Sequence, residues 1–244
     1  MAKLYQKYNQ NTGKRLGALA GVLLCILLTA AAVLYAVCNP ALWWLALLMG
    51  LLCLVCGIKC LHKAKSLHSG LRGEKQVSAL LRQNLPANFC VVANPVLIIN
   101  GQTVELDAVV LSANGVCLVE TKNVAGALSG TKTDAFWTQT RLGKGGVPLT
   151  KQMKNPLLQN ERQVRLVTQW LAPFGAIRVT GCVYFANSYV QVALADPRIF
   201  TGETALLRHL QTSKKPPLDA KTIKAVTRAF RRGKLHENIF CNNG

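Results

Sequence analysis

The feature that most constrains the fold is a run from Leu16 to Ile58 that contains no Asp, Glu, Lys or Arg. A helix that crosses a bilayer needs about 20 predominantly apolar residues, so this run is long enough for two crossings. Cys38-Asn39-Pro40, near its centre, has the composition of a turn. We therefore expect a transmembrane α-hairpin over residues 16–61, with helices near 16–37 and 41–61. A cleaved signal peptide is the alternative, but its apolar region would be only about 7–15 residues long.

Basic residues flank this run on both sides, whereas the connecting turn has none. They are Lys3, Lys7, Lys14 and Arg15 before it, and Lys59, Lys63, Lys65 and Arg72 after it. Short loops rich in Lys and Arg stay in the cytoplasm, so both flanks are expected there and the turn outside. A basic cytoplasmic N-terminus (1–15) and a basic linker (62–70) then border the hairpin, which contacts membrane lipid.

The formal net charge of +19 is large for 244 residues, and it indicates a polyanionic partner. Nucleic acid and the anionic inner leaflet of a membrane both fit this charge. The nine cysteines show no paired spacing, and on a cytoplasmic domain this indicates free thiols.

Periodicity in the rest of the chain predicts alternating helices and strands in an α/β three-layer domain. Helices are expected at 71–85, 155–171, 201–211 and 218–233, and strands at 89–99, 103–111, 116–122, 177–186 and 190–194. Asn100-Gly101 and Asn114-Gly115 are two-residue hairpin signals. The domain is expected over 71–195, followed by a basic helical extension over 196–244.

Residues 123–154 are predicted to form a long loop, rich in glycine and basic side chains. The residues in it that are expected to contact nucleic acid are Lys132, Arg141, Lys144, Lys151 and Lys154. Loops of this length inside a compact domain are usually functional or disordered.

Ionisable residues interrupt two strongly apolar strands next to this loop. With Asn114-Gly115 as the hairpin loop, Asp107 lies opposite Lys122, and Glu120 lies two residues before Lys122. Opposed residues and residues two apart share one face of a sheet, so all three side chains are expected to converge. A slip of one residue would move Asp107 to the other face. A cross-strand salt bridge between Asp107 and Lys122 without any catalytic role is the plainer interpretation.

The spacing Asp107, then Glu120-Thr121-Lys122, resembles the active site of the PD-(D/E)xK nucleases. Further residues narrow the resemblance to the nuclease-related domain, or NERD, family. They are Gly73-Glu74, Glu105-Leu106-Asp107, Gly115-Val116, Val119–Asn123, Gly126, Trp137, and Asn155-Pro156 followed by Gln159. The resemblance covers about residues 70–172.

The resemblance implies a fold, a chemistry and a location. The fold would be a restriction-endonuclease-like core, built from a helix, a three-strand antiparallel meander, a helix and a strand. Asp107, Glu120 and the backbone carbonyl of Thr121 would bind Mg²⁺ (or Mn²⁺), and Lys122 would position water and stabilise charge. Glu74 would be an auxiliary acid, and Gln159 a helical glutamine that points toward the site. A bacterial inner membrane would be the location.

Two function classes therefore remain open. The first is a membrane-anchored, metal-dependent nuclease that hydrolyses phosphodiester bonds in DNA. The second is a catalytically inactive module of the same fold that binds nucleic acid or another partner at the membrane. The segment 218–234 is basic and amphipathic, and it could contact anionic lipid.

Overall fold

The computed structural model describes residues 1–7, 9–212 and 217–233. These residues form two compact units. Residues 9–72 form an apolar unit, and Met1–Lys7 together with the described residues from Gly73 onward form the other. The first residues of the chain thus belong to the same unit as those that follow the apolar helices. Residues 234–244 of the predicted basic extension lie outside the described part.

The apolar unit consists of α1 (Gln10–Cys38) and the first part of α2 (Trp43–Asn84), with a 3-10 turn at Pro40–Leu42 between them. The side chain of Asn9 caps α1 by accepting a hydrogen bond from the Asn11 amide at 2.8 Å. Both helices are long and apolar enough, by length and composition, to cross a membrane. The predicted turn between two apolar helices is confirmed.

α2 continues well beyond the predicted second apolar segment. Residues 62–70 are helical, so the predicted basic linker and the predicted helix at 71–85 form one element with the segment before them. The lysines and histidines of this stretch hide its helical periodicity, but it contains no proline that would break a helix.

In its described residues, the second unit contains several short strands and three helices besides the end of α2. The strands are β1 (Lys3–Gln6), β2 (Cys90–Ala93), β3 (Val96–Ile99), β4 (Gln102–Glu105), β5 (Ala108–Ser112), β6 (Gly115–Lys122), β7 (Gly126–Ser129), β8 (Phe136–Leu142), β9 (Pro148–Lys154), β10 (Val179–Phe185), β11 (Val190–Val192) and β12 (Ile199–Phe200). The helices are α3 (Pro156–Leu171), α4 (Glu203–Gln211) and α5 (Ala220–Arg232).

The main sheet has six strands in the order β1-β2-β5-β6-β10-β12. β2, β5 and β6 are antiparallel, whereas β1 joins β2, β10 joins β6 and β12 joins β10 in parallel. A four-stranded sheet in the order β11-β7-β8-β9 and the β3–β4 hairpin complete the unit. The unit is therefore a mixed α/β domain.

Helices cover both faces of the main sheet. α2 and α4 pack on one face, through residues such as Leu81 and Leu206. α3 and α5 pack on the other, where the rings of Trp170 and Phe230 lie 5.1 Å apart. The strands of the centre are buried on both faces, which explains why they are apolar without alternation. The predicted three-layer arrangement is confirmed.

Several local predictions are confirmed at residue level. Asn100-Gly101 forms a two-residue turn between Ile99 and Gln102, and both turn residues have positive φ. Asn155 caps α3 by accepting hydrogen bonds from two backbone amides, with Pro156 in the first helical turn.

Three local predictions are wrong. Residues 123–154 are not a loop, because they contribute β7, β8 and β9. The segments 89–99 and 103–111 are each divided into two strands that belong to different sheets. Lys3–Gln6, expected only as a basic terminus, is an edge strand of the main sheet.

Candidate active site

The β5–β6 hairpin brings the predicted acidic residues together, but in a different register from the one expected. Ser112 pairs with Gly115, so the turn consists of Ala113 and Asn114. Ala108 pairs with Val119, which places Asp107 opposite Glu120 rather than opposite Lys122. The predicted register is thus wrong by two residues. A two-residue offset keeps the side-chain faces unchanged, so the expected convergence of the three side chains survives.

Glu120 and Lys122 form a close ion pair inside the domain. Lys122 Nζ lies 2.6 Å from Glu120 Oε1, and the Glu120 side chain is only 2% exposed. The other carboxylate oxygen accepts a hydrogen bond from Gln163 Nε2 at 3.0 Å. Both oxygens of this buried carboxylate are therefore satisfied, as burial of a charge requires.

Asp107 is half-buried and lies at the start of β5. Its Oδ2 accepts a hydrogen bond from the Thr121 amide at 2.7 Å. Desolvation, followed by repulsion from Glu120 and Glu74, raises its pKa well above the usual value despite the nearby Lys122 and this hydrogen bond. The protonated, neutral form of Asp107 is therefore favoured in this environment.

Lys122 remains protonated in this environment. Burial alone would lower its pKa, but attraction to Glu120 and Asp107 and the hydrogen bond to Glu120 outweigh that effect and raise it. Lys122 is consequently a fixed cation and a hydrogen-bond donor, and it does not act as a base in this state.

Glu74 lies on α2 and acts electrostatically on both Asp107 and Lys122. The helix approaches the end of β6 closely here. A Cβ atom on Gly73 would lie 2.6 Å from the Cβ atom of Asn123, so only glycine allows this approach without a shift. The adjacent Glu74 is placed by that packing, which agrees with the auxiliary position expected for it.

The face of α3 that meets β6 carries three amide side chains. Gln159 Oε1 accepts a hydrogen bond from Lys122 Nζ at 3.1 Å, so Gln159 points to the site as expected. Gln163 also donates to the Glu105 carbonyl oxygen at 3.3 Å, and Asn160 donates to the Leu118 carbonyl oxygen at 3.2 Å. Sequence reasoning missed Gln163, although its spacing of four residues from Gln159 puts both on one helix face.

Residues 69–186, which include all of these side chains, match the family model of the nuclease-related domain. This part of the chain is therefore similar to the nuclease-related domain family. Over 103 aligned residues the chain is 32% identical to an uncharacterised protein of Bacillus anthracis. The aligned region covers 42% of this chain and 46% of that protein. The chain thus spans less than half of that relative's length. No solved structure matches the chain.

The oxygen donors of the nuclease-related domain site suit a hard cation. Within residues 1–7, 9–212 and 217–233, no group of three His, Cys, Asp or Glu side chains is placed to hold a metal ion. Desolvation, followed by repulsion from Glu120, nevertheless raises the pKa of Asp107. A carboxylate offers about four lone-pair sites, so Glu120 can accept a cation beside its two present donors. A divalent ion would remove the repulsion, and the residues fit one.

A cleft with a volume of about 550 Å³ opens beside the site. Gln159 and Gln163 form part of its wall, and Phe136, Lys154 and Arg162 line it as well. The Phe136 side chain is 55% exposed, which is unusual for a large aromatic residue. The cleft therefore combines an aromatic surface with cations next to the acidic residues.

The basic residues expected to contact nucleic acid are not all available in the nuclease-related domain. Lys132 Nζ lies 3.2 Å from the buried Asp196 carboxylate. Arg141 and Lys151 are exposed on one face of the β8–β9 ribbon, and Lys154 lies on the opposite face. Lys144 lies in the turn that joins these strands, and its side chain falls outside the described atoms. The structure thus distributes these cations over two surfaces.

Proposed function

We propose that this protein is a membrane-anchored, metal-dependent phosphodiesterase that cleaves DNA. The observation that carries the proposal is the placement of Asp107, Glu120 and Lys122 on one face of two adjacent strands. Lys122 also donates a hydrogen bond to Gln159. The resemblance to the PD-(D/E)xK nucleases would assign catalysis to these residue types. The order α2, β2, β5, β6, α3 and β10 along the chain, with the β3–β4 hairpin inserted between β2 and β5, supports the proposal of a restriction-endonuclease-like core.

Asp107, Glu120 and the backbone carbonyl of Thr121 would hold Mg²⁺ or Mn²⁺, because hard divalent cations prefer oxygen ligands. When bound, such an ion offsets phosphate charge and lowers the pKa of a water molecule. Glu74 lies close enough to Asp107 to affect its pKa, and it would contact the water shell.

Lys122 would stabilise the negative charge that develops on the phosphoryl group. It is held as a cation by Glu120 on one side and oriented by Gln159 on the other. A fixed charge that needs no reorganisation during the reaction contributes more than a mobile one. Gln163 would keep the Glu120 carboxylate in place.

The DNA strand would approach through the cleft that Phe136 and Lys154 line. An exposed aromatic ring provides a stacking surface for an unpaired base, and a lysine contacts phosphate. Arg141 and Lys151, on the other face of the ribbon, would bind flanking DNA. This geometry favours a single-stranded or distorted segment at the site.

The two apolar helices would anchor the domain to the bacterial inner membrane as a hairpin. The residues before α1 and after residue 72 belong to one compact unit, which supports placing both flanks on the same side of the membrane. The basic residues of both flanks favour the cytoplasmic side.

The inactive binding module is the second candidate, and one observation favours it. Both oxygens of Glu120 already accept hydrogen bonds, from Lys122 and Gln163. A closed ion pair of this kind is also what a purely structural cluster contains.

The test is a cleavage assay with the full chain in detergent, using plasmid and labelled single-stranded DNA with Mg²⁺, Mn²⁺ or EDTA. Asp107→Asn and Lys122→Gln should each abolish metal-dependent cleavage. The matched controls are Glu203→Gln on α4, which removes one negative charge, and Lys75→Gln on α2, which removes one positive charge. Both residues are exposed, and both variants should retain cleavage. DNA binding without cleavage under every metal condition would favour the inactive module.

A further inference from the structure

A second cleft lies between the first strand of the domain and its last described helix. It has a volume of about 510 Å³, and both β1 and α5 contribute to its walls. The residues that line it include Lys3, Tyr5, Asn88, Lys224, Arg228 and Arg231. We call it the β1–α5 cleft. Neither β1 nor α5 falls within residues 69–186, so the cleft is an addition to the family domain.

The charge of the β1–α5 cleft is entirely positive. Four of its lining residues are Lys or Arg, and no lining residue is acidic. The guanidinium of Arg231 lies over the ring of Tyr5, 4.2 Å from its centroid. This contact fixes one cation at the wall without neutralising it.

The cations of the β1–α5 cleft also affect the thiol of Cys90, which lines the cleft. Burial raises the pKa of the Cys90 thiol, whereas its side-chain interaction with Thr227 and the charges of Arg231 and Lys3 act in the opposite direction. Lys3 from β1 and Arg231 from α5 therefore both lie near the same buried atom. Converging cations without an acidic partner form a binding site for an anion.

The position of the cleft disfavours the DNA that the candidate active site would bind. Ala113, at the turn that ends β5, lines the cleft, whereas Asp107 precedes the start of β5. Six residues of extended chain separate them, a distance of about 20 Å. A strand seated on Asp107 would have to run the length of the sheet to reach the cleft.

The chain position of the cleft favours a lipid. Tyr5 precedes α1 by a few residues, and Lys14 and Arg15 in the first turns of α1 border its apolar part. The five residues from Tyr5 to Gln10 span at most about 18 Å, and the six helical residues from there to Leu16 add about 9 Å. β1 is therefore tethered within about 27 Å of the apolar part of α1 that would enter the bilayer. We propose that the β1–α5 cleft binds the phosphate headgroup of an anionic glycerophospholipid, an inference that rests on the proposed membrane anchoring but not on nuclease activity.

The test is native mass spectrometry of the full chain released from detergent, with phosphatidylglycerol or phosphatidylcholine added. The cleft variant is Lys224→Gln with Arg228→Gln. The matched control is Lys221→Gln with Arg232→Gln, which removes the same charge from exposed positions of α5 that do not line the cleft. Thermal melting checks that both variants fold.

The expected result is a preference of the wild type for phosphatidylglycerol. The cleft variant should bind this lipid about thirtyfold more weakly, since each cation near the headgroup contributes about a factor of five. The control should change by less than about threefold. Equal loss in both variants, or no preference over phosphatidylcholine, would overturn the proposal.

Competition experiments on the wild type separate the possible sources of the anion. Glycerol phosphate and inorganic phosphate should displace the lipid only at much higher concentration, because they lack its acyl chains. Displacement at equal concentration would identify a soluble phosphate ligand instead. A short thymidine oligonucleotide is the third competitor. If it displaces lipid from the wild type but not from the cleft variant, the cleft is a nucleic-acid site and the lipid proposal is wrong.

Discussion

Gln163 Nε2 lies 3.0 Å from Glu120 Oε2, on the side of the carboxylate opposite to Lys122. The same amide group reaches the Glu105 carbonyl oxygen at 3.3 Å. One helical side chain therefore links α3 to β6 and to the β3–β4 hairpin. The orientation of the buried Glu120 carboxylate depends on this link, because a charged group inside a protein keeps its position only when its hydrogen bonds are fixed.

Replacing Gln163 with leucine should destabilise the domain and weaken the site together. Loss of a donor to a buried carboxylate costs about 1–3 kcal/mol of unfolding free energy. Cleavage should fall at least about tenfold if Glu120 acts in catalysis. Denaturant unfolding and the cleavage assay measure the two effects. Gln159→Leu is the comparison, since it leaves both Glu120 oxygens bonded and should cost less stability.

The ion pair between Glu120 and Lys122 should show strong coupling in a double-mutant cycle. Lys122→Met leaves Glu120 buried without its cation, a change that costs about 3–5 kcal/mol. Glu120→Gln with Lys122→Met removes both charges and should recover most of that loss, because the remaining amide can still accept from Gln163. Additive losses in the cycle would show that the two side chains do not act as a pair.

The alternation of side chains, rather than the hairpin register, is what made the site predictable. Asn114-Gly115 indicated a two-residue turn, but the turn is Ala113-Asn114 because Ser112 pairs with Gly115. Gly115 has a φ of 112°, and a Cβ atom there would lie 2.5 Å from the Arg178 carbonyl oxygen, so this glycine is needed for packing. The predicted pairing was therefore shifted by two residues. A shift by an even number keeps each side chain on the same face of the sheet, so the site residues still share a face.

Long-range contacts explain what the sequence did not predict. β9 is almost fully exposed, so it lacks the apolar alternation that indicates a strand, and its pairing with β8 supplies the structure instead. Lys3–Gln6 is too short to be recognised, and it becomes a strand because Cys90–Ala93 offers an open edge. Gln163 has no local signal apart from its spacing from Gln159.

Replacing Gly181 with alanine should separate α3 from the main sheet. A Cβ atom at this position of β10 would lie 2.0 Å from Asn160 Oδ1 and 2.6 Å from Val164 Cγ2. Overpacking of this kind costs about 1–3 kcal/mol, and the shift of α3 should also move Gln159 away from Lys122. Thermal melting and cleavage report both effects. Gly202→Ala, where a Cβ atom meets nothing within 4 Å, is the control and should leave cleavage unchanged, with only the small loss of stability expected for alanine at the N-cap of α4.

Asp107→Asn should stabilise the metal-free protein while it abolishes cleavage. The folded state holds the Asp107 proton more tightly than the unfolded chain, because desolvation and the nearby Glu120 raise its pKa above the usual 3.8. Ionisation therefore destabilises the fold as pH rises through the window between 3.8 and the raised folded value, and the penalty is absent below that window. At neutral pH without metal we expect the asparagine variant to be more stable by about 1 kcal/mol.

The same reasoning gives a signature in pH and in metal. The stability difference between wild type and Asp107→Asn should vanish below pH 3.8, where the carboxyl group is protonated in both states, and should grow toward neutral pH. Mg²⁺ should raise the melting temperature of the wild type and have little effect on the variant, because ligands that bind only the folded state stabilise it. A difference that is independent of pH, or an equal response to Mg²⁺ in both proteins, would show that Asp107 neither carries the buried charge nor binds the cation.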